Sequence, residues 1–295
     1  MNPREQGFML LTSRLGNPAR KPLTVAQLRT LAQRMRTMTV SDGGRQLSPA
    51  DLVALGYDRE TARRIAVLLS EDALLEHYVK KGMKQGCVPI TRVTDRYPLI
   101  LRQKLGLDSP GCLWARGNLS LLRQPGIALV GSRDLKPENR KFAEEVGRQA
   151  AKSGLTLISG NARGADRTAQ EACLSAGGSV ISVVADELIA HNPSSDILYL
   201  SEDGFDEPFS TARALSRNRV IHALGRMVFV AQSELEKGGT WDGTAKNLRF
   251  GWTSVACFRD GSAASLELEQ MGAYLVNKED LQDFASIPVA DTGFL

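Results

Sequence analysis

Histidine and cysteine are scarce in this sequence, with 3 and 4 among 295 residues. The cysteines, Cys87, Cys112, Cys173 and Cys257, stand far apart and never form C-x-x-C, so a zinc site and a disulfide framework are both unexpected. Cys173 and Cys257 fall in apolar patterns, where a thiol behaves as a small hydrophobe. No run approaches the roughly 18 apolar residues of a membrane span, and "MNPREQGFML" lacks a basic-then-apolar leader. A reducing cytoplasm and no membrane contact are expected. There is no G-x-S-x-G elbow and no H-E-x-x-H, and no acidic residue stands as a ribose reader about 20 residues past a dinucleotide fingerprint. No catalytic residue, metal or cofactor is assigned.

What is present is an ordinary globular composition, 42% apolar and 24% charged, in a chain long enough for one large α/β domain and a smaller one. The net charge of +4 hides an asymmetry. Residues 1–120 hold 19 Lys/Arg against 10 Asp/Glu, and residues 121–295 hold 18 against 23. The basic front half suits an anionic partner or an Arg-rich solvated surface. In the acidic back half, an anion needs a local basic patch.

Apolar residues recur at helical spacing from Leu23 to Met38, with Thr24 and Gln27 placed as a capping box. A second helix is expected from Ser48, with Pro49 in its first turn, to Gly56, and a third from Asp58 through "RETARRIAVLLS". Together they read either as a helix-hairpin-helix, whose hairpin amides hold backbone phosphate, or as a simple helix-packing module. Beyond residue 120 the rhythm changes. Ile127–Val130, Leu155–Ser159, Val180–Val184, Ile197–Leu200, Val228–Ala231 and Ser254–Cys257 are short apolar runs that suit strands buried on both faces. Helical patterns lie between most of them, at Pro137–Lys152, Asp166–Ala176, Phe209–Gly225 and Thr240–Phe250. The expected fold class is α/β: a Rossmann-like, doubly wound, mostly parallel sheet with a small N-terminal helical domain. Residues 1–85 read as that helical domain (SAM or helix-hairpin-helix-like), 86–120 as a connector and 121–295 as the Rossmann-like domain.

Right-handed crossovers place the loops after the strands along one edge, where such sheets bind ligands. Gly131, Ser132 and Arg133 follow the first of these strands. "ISGNARGADRTAQEA" follows the same plan: strand, glycine turn with Gly160, Arg163 and Gly164, and a helix opening at Asp166. Glycines let backbone amides approach an anion and arginine grips phosphate in a bidentate way. Arg217, Asn218 and Arg219 lie in a helical stretch. The two arginines stand about 200° apart, so one faces the ligand and the other a carboxylate such as Glu202 or Asp203. A last glycine turn, "EKGGTWDGTAKNL", brings Gly239 and Thr240 into the next helix. His222 reads as a packed helical residue. These features support anion binding better than chemistry, and leave open whether the phosphate belongs to a dinucleotide, a sugar or a nucleic acid.

In order and spacing, "GIALVGSR", "LISGNARGADRTAQEACLSAGGSVISVV", "LSEDGFDEPF", "RNRVIHAL" and "GGTWDGTAKNL" resemble the DNA-processing protein A family (DprA, also called Smf). "TRVTDRYPLILRQKLGLDSPGCLWARGNLSLL" resembles the segment before that family's Rossmann-like domain, and "GSAASLELEQMGAYLVNKEDLQDF" its final helix-strand-helix. The resemblance implies a non-enzymatic, homodimeric protein that binds and protects single-stranded DNA and loads RecA recombinase onto it in natural transformation or recombination. It implies DNA contacts at Gly131, Ser132, Arg133, Gly160, Arg163, Gly164, Asp166, Arg217, Asn218 and Arg219. The chain departs from the family pattern at Gln170, Glu171, "ADELIAHNPSSD", Ala223 (where the family usually has glycine, with His222 before it) and "FRDGS", and no winged-helix segment is expected after residue 290. A nucleotide sensor, or an N-glycosidic nucleotide hydrolase of the wider superfamily, is the alternative. The Glu such hydrolases carry after their glycine turn is absent here, with Asp242 the nearest substitute.

Overall fold

The computed structural model describes residues 1–36 and 47–287. By its contacts the chain divides into two units: Met1–Ala115 with Glu202–Glu207, and Arg116–Ser201 with Pro208 onward.

The first unit begins with five helices, α1 (Pro3–Thr12), α2 (Val25–Met35), α3 (Pro49–Ala54), α4 (Arg59–Leu69) and α5 (Asp72–Lys84). Their starts are written in the sequence. Asn2, Thr24 and Ser48 each form a capping box with the residue three positions on, and Asp58 caps α4 through its side chain. The far end of the first expected helix, Met38, lies outside the described residues. Leu11, Leu23, Leu28, Leu31, Leu52, Ala62, Ile65 and Leu68 form one apolar core. Arg20 is buried at its edge, donating to the carbonyls of Ser13, Leu10 and Leu68 and to Glu71 Oε2 at 2.6 Å.

The α3–α4 turn does not have the open amides of a phosphate-binding hairpin. Asp58 Oδ1 accepts from the Thr61 amide at 2.8 Å, and Oδ2 accepts from the Thr61 hydroxyl at 2.7 Å. The turn amides of Leu55, Gly56 and Tyr57 donate to the carbonyls of Asp51, Val53 and Leu52.

Residues 86–120, expected as a connector, hold regular structure: β1 (Val88–Thr91), α6 (Leu99–Leu105) and β2 (Cys112–Gly117), with β1 antiparallel to β2. Trp114, Tyr78 and Phe205 cluster in this unit, the Tyr78 and Phe205 rings stacked 4.5 Å apart.

In the second unit strands and helices alternate. The elements are β3 (Gly126–Val130), α7 (Pro137–Lys152), β4 (Thr156–Ser159), α8 (Ala165–Ser175), β5 (Val180–Val183), β6 (Ile197–Ser201), α9 (Thr211–Leu224), β7 (Met227–Val230), α10 (Gly238–Phe250), β8 (Ser254–Phe258), α11 (Ala263–Gln270) and β9 (Tyr274–Val276). The strands run parallel in the order β6-β5-β4-β3-β7-β8-β9. Residues of β3, β4, β5, β7 and β8 are buried throughout, as strands covered on both faces must be. Ile127, Leu129, Leu157 and Phe229 pack under α7 and α8 with Phe142, Val146, Ala169 and Cys173. On the opposite side Ala128 meets the end of α9 at Gly225. This is the doubly wound, Rossmann-like sheet expected. Helix starts shift slightly: α9 opens at Thr211, where Ser210 Oγ accepts from the Arg213 amide, and α10 opens at Gly238, ahead of Thr240. The order reverses between β3 and β7. That switch point is where a crevice opens beyond the strand ends.

Candidate nucleic-acid interface

A groove of about 440 Å³ lies at this switch point. One wall is Val130, Gly131, Ser132 and Arg133, leaving β3; the facing wall is Ser233, Glu234 and Lys237 through Thr240, entering α10. Asp166, Arg217 and Asn218 complete it from α8 and α9. Neither α8 nor α10 has a side-chain cap at its amino end. In α8 the Ala165 and Arg167 amides already donate to the Ser132 and Ala162 carbonyls, so it is the first turn of α10, with its helix dipole, that offers amides to an anion.

The loops are held by backbone bonds and by one buried carboxylate. The Ser132 amide donates to the Gln232 carbonyl at 3.0 Å, and the Ala165 amide donates to the Ser132 carbonyl at 3.1 Å. Gly164 has φ +87°, and a Cβ there would run into the carbonyl oxygens of Ser132 and Arg133. Glycine is required at this position both for the backbone angle and for the close approach. Asp166 Oδ2 accepts from the amides of Gly160 and Ala162 at 3.1 and 3.2 Å. Burial raises the Asp166 pKa, against the opposing pull of Arg217 and of those two amides.

Arg217 is 8% exposed, and its Nη1 lies 3.9 Å from Asp166 Oδ2. Its guanidinium fills the space that a side chain at position 160 would take. Gly160 is thus the seat of Arg217. Asn218 Nδ2 donates to the Gly239 carbonyl at 2.9 Å, tying α9 to the first turn of α10. Of the two helical arginines, Arg217 faces both the groove and a carboxylate, and that carboxylate is Asp166. Arg219 lies outside the groove walls and donates to the Ser216 carbonyl and hydroxyl at 2.6 Å.

A second hollow of about 250 Å³ adjoins the groove, walled by Gly160, Asn161, Arg163, Ala185 and Asp186. Arg133, Ala162, Phe209 and Arg217 belong to both. Asp186 Oδ1 lies 2.9 Å from His191 Nε2, and that hydrogen bond lowers the Asp186 pKa. The structure thus brings Gly131, Ser132, Arg133, Asp166, Arg217, Asn218, Gly239 and Thr240 to the groove, and Gly160 and Arg163 to the adjoining hollow. Gly164 acts behind the loops and Arg219 stands apart. Sequence reasoning missed Ser233, Lys237 and Phe209; Lys237, beside the glycine turn, was the one with a readable signal. Asp242 lies outside the groove walls, 2.8 Å from Lys246 Nζ. Among the described residues no cluster of three metal-ligating side chains occurs, and no helix is long and apolar enough to cross a membrane.

A family model described as DNA recombination-mediator protein A matches residues 89–285. Over 154 residues the chain is 36% identical to the DNA processing protein DprA of Streptococcus pneumoniae, covering 49% of this chain and 54% of that protein. Over 142 residues it is 30% identical to protein Smf of Escherichia coli, covering 44% of this chain and 38% of that protein. The chain thus spans about half or less of the length of these curated relatives. The X-ray structure of DNA processing protein A from S. pneumoniae superposes with a TM-score of 0.72 at 27% identity, covering 95% of this chain and 97% of the other. A structure of the Helicobacter pylori DNA processing protein A, which concerns that protein's single-stranded DNA binding mode, shares the fold at 24% identity and a TM-score of 0.55, covering 67% and 93%.

Proposed function

The chain belongs to the DNA recombination-mediator protein A family, and from that premise we propose that its groove binds single-stranded DNA. We take the protein to be a recombination mediator that acts as a homodimer and hands the strand to RecA recombinase, as in natural transformation, by binding rather than by catalysis. The observation that carries the DNA reading is the convergence of Arg133, Arg217 and Lys237 with the uncapped amino end of α10 at one switch point. A site made of guanidinium groups and backbone amides recognises phosphate without reading a base. Its neighbour hollow adds Arg163, so cationic groups line both the groove and the hollow beside it. An extended polyanion fits such a lining better than a single nucleotide. Binding of this kind weakens steeply with salt, because each neutralised phosphate releases condensed counterions.

The test is a salt-dependent titration with a single-stranded oligonucleotide, set beside a panel of mononucleotides. Arg163→Ala is expected to weaken oligonucleotide binding and to flatten the salt dependence by about one unit of log–log slope. An unchanged affinity and slope would remove Arg163 from the site. Micromolar binding of a mononucleotide with none of the oligonucleotide would replace the DNA reading with nucleotide sensing.

A further inference from the structure

At the mouth of the site, Arg163 is already occupied. Its Nη2 lies 2.7 Å from Asp134 Oδ1. Arg163 leaves the β4–α8 loop and Asp134 the β3–α7 loop, so the pair bridges the two phosphate loops. Asp134 is fixed from its own backbone. Its amide donates to Ser132 Oγ at 3.2 Å, its carbonyl accepts from Gln232 Nε2 at 3.1 Å, and Gln232 Oε1 accepts from the Lys136 amide at 2.9 Å. The carboxylate therefore stands on a braced loop, while Arg163 reaches to it on a long side chain. Both side chains are open to solvent, at 71% and 84% exposure.

A guanidinium offers a carboxylate and a phosphate the same planar fork of donors. The N–H groups that grip Asp134 are those a DNA phosphate would need. We propose that Asp134 is a built-in competitor of the DNA phosphate, holding Arg163 in the free protein and releasing it only when a strand enters. The proposal rests on the single-stranded DNA reading of this site. Two opposed magnitudes set its size. The pair is exposed and therefore weak, so it cannot block binding. It also sits within hydrogen-bond distance, so it competes for the N–H groups a phosphate would use. Removing the carboxylate should tighten binding by about twofold to fivefold. The bridge acts as a small fixed cost on any ligand that takes Arg163.

The experiment is a double-mutant cycle with a single-stranded deoxythymidine oligonucleotide, comparing wild type, Asp134→Asn, Arg163→Ala and the double variant at low and high salt. Asp134→Asn is expected to bind about twofold to fivefold tighter than wild type at low salt, with the gain shrinking as salt rises. In the Arg163→Ala background the same substitution should bring no gain, because the arginine through which Asp134 acts is gone. Asp134→Ser, a second neutral variant, has to repeat the pattern. An equal gain in both backgrounds would make Asp134 a general repulsive charge and overturn the proposal. No gain, or a loss, in the wild-type background would overturn it as well. A wild type that binds no oligonucleotide at all would instead remove the DNA reading beneath it.

Discussion

Gly160 shows how much of this site depends on one missing methyl group. A Cβ at that position would fall on the Arg217 guanidinium, which is itself buried beside Asp166. Gly160→Ala is therefore expected to drive Arg217 out of its seat while leaving the backbone amide of residue 160 free to bond Asp166. A charged hydrogen bond to phosphate contributes on the order of 2 kcal/mol, so oligonucleotide affinity should fall by about tenfold or more. Thermal denaturation should also show a loss, since Asp166 would keep its burial without its nearby cation. A Gly160→Ala variant that binds like wild type would mean that Arg217 makes no contact with the strand. Legibility at this scale follows chemistry. Residues in glycine turns with an arginine, such as Gly131, Arg133, Gly160 and Arg163, stand out because few other roles need that pattern. Asp166 was legible as a helix opener, but its two bonds to the Gly160 and Ala162 amides were not. Which of Arg217 and Arg219 faces the groove depends on helix rotation, which can be read only after the apolar face is known. Phe209 and Ser233 carry no local signal at all, since it is the fold that carries them to the groove.

Helices α7 and α8 show packing overriding propensity at the scale of elements. Gly147 sits mid-helix in α7, where replacement by alanine ordinarily gains about 1 kcal/mol from backbone entropy. Here a Cβ would strike the Ala169 carbonyl of α8 and crowd the Cys173 amide at 3.1 Å. Those are backbone atoms of a helix that is itself packed on β3 and β4, so they cannot yield as a side-chain tip would. Overpacking of this kind costs about 1–3 kcal/mol, and it outweighs the propensity gain. Gly147→Ala is expected to lower the melting temperature, measured by calorimetry, with the salt slope of DNA binding unchanged. A higher melting temperature would show that the two helices can move apart. The elements themselves were largely readable. Thr24 with Gln27, Ser48 with Pro49, and Asp58 mark three starts that the structure keeps, and the buried parallel strands stand out as short apolar runs. β1, α6 and β2 escaped, because prolines and glycines in residues 86–120 look like punctuation. In fact they bound short elements whose register is set by pairing, as Val88 opposite Ala115 and Thr91 opposite Cys112.

For the whole molecule, the sharpest consequence of burial is acid sensitivity. His222 is fully buried between α9 and α10, its Nε2 3.3 Å from where a Cβ on Gly243 would stand. Among the described residues neither ring nitrogen has a hydrogen-bond partner, so nothing offsets the cost of charging the ring. Burial pushes its pKa down from 6.5 to about 3. The unfolded chain therefore takes up this proton as pH falls through the ordinary histidine range, while the folded chain refuses it until about pH 3. Between those limits the unfolded state binds more protons, so stability is present above the unfolded pKa and is lost as pH falls. One such group removes up to about 1.4 kcal/mol per pH unit. Asp166 works in the opposite sense, because its raised pKa lets the folded state accept a proton early. The two must be separated by difference. Denaturant titrations of wild type and His222→Gln from about pH 7 down to about pH 4 should show a shallower fall for the variant, the stability difference shifting in the variant's favour as pH drops below 6.5. Parallel curves would mean that the folded protein protonates His222 as readily as the unfolded chain does, and that the α9–α10 interface is open to water. A difference that moves toward the variant only under acid would instead tie acid stability to one buried ring in the same helix that supplies Arg217 and Asn218 to the groove.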